Sequence, residues 1–366
     1  MKILMFLHDA YGGHGGIAQF NRDVIDGLAA DPRVERIIAL PRKPGVEGEA
    51  LPAKLDWMLE AGGGLGPYLR AAAKAVARDR PDLVISAHIR LLPAAWLAAC
   101  TARAPLWLMI FGIDAWERPH NPLLTCLARR AVRVISISDT TTVRFQSWAR
   151  VPPTRIQHLP CSIDLDRFQP GPADPALVSR YGLAGKRVLF TFGRLVSRER
   201  AKGMDEVMEA MPGLLADVPD LVYLIGGDGP DRPRLAAKAE TLGLGARVIF
   251  AGRIAEEEKV AHYRLADAYV MPSRGEGFGI VLLEAMACGV PALASAKDGG
   301  REALLEGKLG LLVDPDDSAS VAAGIRAVLA RPKGRPSGLE HFSTAAFRAR
   351  VSRLLDDAPS GKKSQR

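Results

Sequence analysis

Residues 272–295, Pro-Ser-Arg-Gly-Glu-Gly-Phe-Gly-Ile-Val-Leu-Leu-Glu-Ala-Met-Ala-Cys-Gly-Val-Pro-Ala-Leu-Ala-Ser, read as loop, helix, tight stop and buried strand. Gly275, Gly277 and Gly279 surround Glu276 and Phe278, and glycine lets a ligand approach the backbone because no Cβ stands in the way. From Gly279 to Cys288 the apolar residues are helix formers, and Gly289 followed by Val290-Pro291 supplies the stop. The loop therefore feeds a helix N-terminus, whose unpaired N–H groups and partial positive charge suit phosphate. Glu284 lies eight positions after Glu276, so two carboxylates flank one anion-friendly site. A partly solvated helical glutamate would satisfy the same spacing. Among Ile280, Val281, Leu282, Leu283, Ala285 and Met286, however, a carboxylate has few solvated positions, and a buried charge needs a partner. A ligand bearing hydroxyls would supply one.

Outward from this stretch the chain alternates strands and helices. In the first half, strand-like segments at 2–7, 36–40, 83–87, 106–110, 132–136 and 154–158 alternate with helical segments at 17–29, 66–80, 93–102 and 138–148, while 41–64 is loop-rich. In the second half, strands at 187–192, 221–225, 248–250, 268–271 and 311–314 alternate with helices at 204–216, 256–265, 279–288 and 318–330. Such spacing predicts an α/β protein with parallel sheets covered on both faces, where ligands sit beyond the C-terminal strand ends. A chain of 366 residues is long enough for two domains, and Pro170-Gly171-Pro172 marks a linker that places their boundary near 168. Thr344 to Leu355 reads as a last amphipathic helix, and Gly361–Arg366 as a disordered tail.

Composition narrows the class. Hydrophobic content of 48% and charged content of 25% are ordinary for a soluble globular protein. No apolar run approaches the roughly 18 residues of a membrane-spanning helix, and the run from Met1 to Leu7 breaks at His8-Asp9, too soon for a secretory signal. A cytoplasmic location is expected. Cys100, Cys126, Cys161 and Cys288 are scattered without metal-ligand spacing, so neither disulfides nor a metal site is expected. The net charge of +8 favours an anionic neighbour. Arg129, Arg130, Arg133, Arg144 and Arg150 lie near Leu123, Leu124, Leu127, Phe145 and Trp148, a mixture that suits peripheral contact with an anionic membrane surface and equally an ordinary solvated helix face. No signature of nucleic-acid binding is present.

The first strand runs into His8-Asp9-Ala10-Tyr11-Gly12-Gly13-His14-Gly15-Gly16. Four glycines in five positions could cradle a phosphate, and His8 or His14 could touch substrate. The full dinucleotide fingerprint is missing, as is an acidic residue ending the second strand, which argues against a NAD-dependent dehydrogenase.

The Glu276-to-Glu284 segment resembles the signature of retaining GT-B glycosyltransferases of family 4. The resemblance implies two Rossmann-like domains facing a central cleft: an acceptor domain over 1–168, with a helix at about 344–358 packing back on it, and a nucleotide-sugar donor domain over 169–343. It implies that Glu284 holds the nucleotide ribose and that Glu276 sits beside the donor sugar, with Gly277, Phe278, Gly279 and Ile280 around it as loop and backbone contacts. Gly193-Arg194-Leu195 followed by Lys202-Gly203 resembles the family element whose arginine and lysine neutralise the diphosphate. The intervening gap is expanded, leaving Arg198 and Arg200 open. Gly227 resembles the turn beside the nucleotide and Arg253-Ile254 the segment passing the base, while Gly15 and Gly16 belong to the glycine loop that cleft closure is expected to bring onto the diphosphate. The family often carries His-Gly-x-Asp where this chain has Phe111-Gly112-Ile113-Asp114. Asp114 is then a candidate for activating an acceptor hydroxyl, or for binding sugar hydroxyls, or for capping the helix near Asn121, with His88 as an alternative. Residues 159–170 resemble the family's hinge, with Cys161-Ser162 in place of Asn-Gly. The implied reaction moves a hexosyl group from a UDP or GDP sugar to a lipid-linked or growing polysaccharide acceptor, with retention and with neither metal nor cofactor. A sugar-nucleotide epimerase is the alternative within the same fold.

Overall fold

A computed structural model describes residues 1–13, 15–43, 45, 50–196 and 202–356. His14, Arg198, Arg200 and the 361–366 tail lie outside the described residues. The chain divides into two compact units, one of Met1–Ser162 together with the chain from Thr344, the other of Ile163–Ser343.

The first unit holds seven strands: β1 (Lys2–Leu7), β2 (Arg36–Pro41), β3 (Leu55–Trp57), β4 (Leu83–Ser86), β5 (Leu106–Ile110), β6 (Arg133–Ser136) and β7 (Ile156–His158). All pair in parallel, in the order β3-β2-β1-β4-β5-β6-β7. The central strands are near-continuous apolar runs because helices cover both faces. The order reverses between β1 and β4, so their C-terminal ends, at His8 and His88, open the crevice where such sheets take ligands. The last helix, Thr344–Asp356, belongs to this unit and packs on Gly16–Ala30. A Cβ on Gly27 would stand 3.2 Å from Val351, so the glycine permits that approach. Phe20 lies 5.5 Å from the Phe111 ring and 5.6 Å from Phe347.

The second unit repeats the scheme with β8 (Arg187–Phe192), β9 (Leu221–Gly226), β10 (Val248–Gly252), β11 (Ala268–Met271), β12 (Ala292–Ser295) and β13 (Leu311–Val313). Their order is β10-β9-β8-β11-β12-β13, again parallel, with the reversal between β8 and β11.

Two readings are refined. The division falls between Ser162 and Ile163, because residues 163–168 are tied into the second unit: the Ile163 amide donates to Phe342, and Arg335 donates to the carbonyls of Leu165 and Phe168. The loop-rich 41–64 stretch also contains β3, too short to show alternation, whose Trp57 packs 5.4 Å from Tyr11. Among the described residues no helix is long and apolar enough to cross a membrane.

Candidate functional site

In the second unit the candidate residues gather at the C-terminal ends of β8, β9, β10 and β11. β11 ends at Met271, and the 272–279 loop leads into the helix Ile280–Ala287. Gly279 is its N-cap with φ 100°, a left-handed conformation that favours glycine. Glu284 is only 6% exposed on this helix. The Tyr263 hydroxyl donates to its Oε2 at 2.5 Å, and Lys259 Nζ donates to Oε1 at 3.3 Å. Lys259 also pairs with Glu256 at 3.0 Å and lies 5.4 Å from the Phe192 ring. Burial pushes the Glu284 pKa up, while the Lys259 charge and the Tyr263 hydrogen bond hold it back. The sequence reading missed both partners; their one signal is a Lys and a Tyr four residues apart, on one face of Lys259–Leu265.

Glu276 sits in the loop. Its Oε2 meets Lys202 Nζ at 2.7 Å, and its Oε1 accepts from the amides of Gly277 at 3.0 Å and Phe278 at 3.4 Å. Burial raises its pKa, but the Lys202 charge and these hydrogen bonds outweigh that, and the net shift is downward. Beneath the loop lies Asp298, fully buried, which the sequence reading also passed over. Its Oδ2 accepts from the Glu276 amide at 2.9 Å and the Ser273 hydroxyl at 2.7 Å, and its Oδ1 from the Gly300 amide at 3.0 Å. A Cβ on Gly299 would sit 2.2 Å from the Gly277 carbonyl oxygen, so this backbone crossing requires glycine.

The cationic turn is adjacent. A Cβ on Gly203 would fall 2.5 Å from the Pro272 carbonyl oxygen, which brings the Lys202-Gly203 turn against the start of the loop. Arg194 and Lys202 line one small pocket with Leu195, Val196, Met204 and Asp205. The Gly227 amide donates to Gly252 at 2.8 Å, and the Gly193 amide to Gly226 at 3.0 Å, so the turns after β8, β9 and β10 abut. Ile254 is buried against Gly226, whereas Arg253 is exposed. The Phe278 side chain packs into the core, 5.6 Å from Phe342, leaving its backbone as the part available to a ligand.

In the first unit, Gly15 caps Gly16–Ala30 with φ 95°, without a side-chain cap. Arg22 donates to the carbonyls of Ala10 and Gly13 and so braces the glycine loop. The His8 and His88 rings meet edge-on at 4.5 Å. His88 Nδ1 accepts from the Arg90 amide, and burial pulls its pKa down to about 4, so it is neutral at physiological pH. Phe111 is core. Asp114 lies in the short helix Ile113–Trp116; its Oδ1 accepts from the Phe111 amide at 3.2 Å, while its buried Oδ2 has no hydrogen-bond partner. Burial pushes its pKa up to about 7. It does not cap the next helix: Asn121 does, accepting from Leu123 at 2.9 Å. Among the described residues no three His, Cys, Asp or Glu side chains converge as a metal site.

These two Rossmann-like units define a protein of GT-B fold. Residues 180–346 match the model of glycosyl transferases group 1, and residues 14–167 that of glycosyltransferase family 4. The chain is 36% identical over 264 residues to a GDP-mannose-dependent alpha-(1-6)-phosphatidylinositol monomannoside mannosyltransferase of Mycolicibacterium smegmatis, covering 66% of this chain and 67% of that protein. It is 41% identical over 203 residues to a D-inositol 3-phosphate glycosyltransferase of Geodermatophilus obscurus, covering 53% and 44%. The match thus spans about two thirds of the first relative and less than half of the second. Among solved structures, Anabaena Alr3699/HepE in complex with UDP superposes with a TM-score of 0.77 at 22% identity, over 97% of this chain and all of that one. Sucrose-phosphate synthase from Thermosynechococcus elongatus gives 0.76 at 20% identity, over 97% and 98%. The chain belongs to the group 1 glycosyltransferases, glycosyltransferase family 4.

Proposed function

We propose that this protein transfers a hexosyl group from a nucleotide-diphosphate sugar to a hydroxyl of a lipid-linked or growing glycan acceptor, with retention at the anomeric carbon. The observation that carries the reading is the pair of glutamates in one unit. Glu284 is buried and oriented by Tyr263 and Lys259, as a carboxylate accepting from a ribose diol needs to be. Glu276 stands beside Lys202 and the loop amides, where a diphosphate and its sugar would arrive. Arg194 and Lys202 offset the charge of the departing diphosphate, whose oxygen takes the acceptor proton on the face that the sugar leaves. Asp114 and the His8–His88 pair serve the acceptor. The names of the two relatives direct the first assays to GDP-mannose as donor and phosphoinositol compounds as acceptors. Thermal-shift screening with UDP, GDP and ADP, followed by NMR of the product's anomeric proton, tests the reading. Stabilisation by none of the three, or an inverted product, sinks it. Undiminished turnover in EDTA is expected; its loss would show that a metal shares the diphosphate charge.

Peripheral contact with an anionic membrane surface belongs to the same proposal, on corrected residues. Leu127, Phe145 and Trp148 are core rather than surface. Exposed apolar residues of this stretch include Ile113, Leu123, Val132 and Val143, and among its arginines Arg144 stacks 3.9 Å from Trp116 and Arg130 lies 5.6 Å from Trp96. Flotation with phosphatidylglycerol vesicles but not phosphatidylcholine vesicles is the expected result. Equal recovery with both removes the membrane from the proposal.

A further inference from the structure

The Glu276 carboxylate already uses the donors that a diphosphate would need. Its Oε2 holds the Lys202 ammonium at 2.7 Å, and its Oε1 draws the Gly277 and Phe278 amides at 3.0 and 3.4 Å. One ammonium and two backbone N–H groups also make a good seat for a phosphoryl group, because oriented amides and a fixed cation favour any anion of that size. The loop is built to keep these donors in place. Asp298 anchors the Glu276 amide from below, Gly279 turns the chain into the helix, and Gly203 sets Lys202 against the loop. The carboxylate is not sealed in: its backbone is pinned, yet its side chain retains 15% exposure and that of Lys202 22%.

We propose that Glu276 is an internal competitor for the diphosphate, so that the site discriminates between the nucleotide sugar and the bare nucleoside diphosphate. A diphosphate that takes Lys202 and the loop amides must displace the carboxylate. A donor that also carries a sugar offers hydroxyls to the displaced carboxylate, restoring its lost hydrogen bonds. The bare product offers none and leaves Glu276 either unpaired or close to a like charge. The competition therefore weakens product binding selectively and speeds its release, a step that limits many transferases. This inference rests on the nucleotide-sugar reading above.

The test compares wild type, Glu276→Gln and Glu276→Ala in calorimetric titrations with GDP, UDP and the corresponding hexose nucleotides, alongside the melting temperature of each free variant. Removing the competing charge is expected to tighten binding of the bare nucleoside diphosphate by roughly three- to ten-fold, the scale of one ion pair that keeps some contact with solvent. The same variants gain nothing, or lose affinity, toward the intact nucleotide sugar, and turnover falls. The alanine variant, with no side chain left to accept from the amides, is expected to show the larger gain. Nucleoside diphosphate affinity equal to or below that of wild type, in variants that melt normally, overturns the proposal while leaving the donor site standing. Absence of any nucleotide binding in wild type removes both.

Discussion

Asp298 is a carboxylate with no exposed surface that accepts three hydrogen bonds and holds the loop carrying Glu276. Burial outweighs those bonds and pushes its pKa from 3.8 up to about 6. A raised carboxylate pKa means that the folded state holds the proton more tightly than the unfolded chain. The associated stabilisation is therefore complete below about pH 4, is lost as the pH rises to about 6, and stays lost above. A shift of that size corresponds to about 3 kcal/mol at 1.36 kcal/mol per unit. In Asp298→Asn the group no longer titrates, so the variant's stability relative to wild type should rise by about 3 kcal/mol between pH 4 and pH 7. The amide can replace only one of the two carboxylate acceptors, and an unsatisfied buried N–H costs about 1–3 kcal/mol. Near neutrality the two effects nearly cancel, and the melting temperature should change little. Turnover should nevertheless fall, because the Glu276 amide or Gly300 loses its anchor. Urea titrations of both proteins across this pH range, with donor hydrolysis as the activity readout, carry the test. A stability difference that does not vary with pH would refute the reasoning.

Other expectations follow from the same geometry. Glu284→Gln should weaken nucleoside diphosphate binding about ten- to hundred-fold by calorimetry, the loss of one charge-assisted contact to a diol; unchanged affinity removes its ribose role. Tyr263→Phe leaves Glu284 Oε2 without its donor and should cost about 1–3 kcal/mol in urea unfolding, against no measurable change if the hydroxyl is idle. Gly299→Ala forces a methyl to 2.2 Å from the Gly277 carbonyl oxygen, so turnover should fall at least ten-fold with donor affinity reduced in parallel; full activity would show that the crossing has slack. For Asp114, raised to about 7, transfer to the acceptor should increase as pH passes 7, and Asp114→Asn should flatten that limb in initial-rate profiles. A limb that survives the substitution assigns it to another group.

What was legible in the chain was local. Strand, glycine loop and helix around Glu276 and Glu284 follow from periodicity and from glycines that need particular backbone angles, and both are properties of neighbouring residues. What was not legible came from afar. Tyr263 and Lys259 lie 21 and 25 positions from Glu284, Asp298 lies 22 from Glu276, and Lys202 lies 74 from it. Lys202 was found only because its own turn carries a recognisable pattern. Asp298 looked like any polar residue before a Gly-Gly turn, and nothing in its immediate neighbours announces that a loop will be laid across it.

The two glutamates show why that difference matters for chemistry. In the sequence they are the same residue type eight positions apart, and only the family resemblance gives them different roles. The fold separates them. Glu276 is held below its ordinary pKa by Lys202 despite burial, which suits a charge that stays ionised. Glu284 is pushed upward by burial and restrained by Lys259, which suits a fixed acceptor that keeps one geometry. The distinction is carried by two lysines, one at the entry of the Met204–Leu214 helix and one on Lys259–Leu265. Exchanging Lys202 for Met should therefore disturb diphosphate binding and leave ribose selectivity intact, whereas Lys259→Met should do the reverse. Titration of each variant with GDP and with its 2′,3′-dideoxy analogue separates the two effects, and the same loss in both variants would show that the carboxylates act as one undivided site.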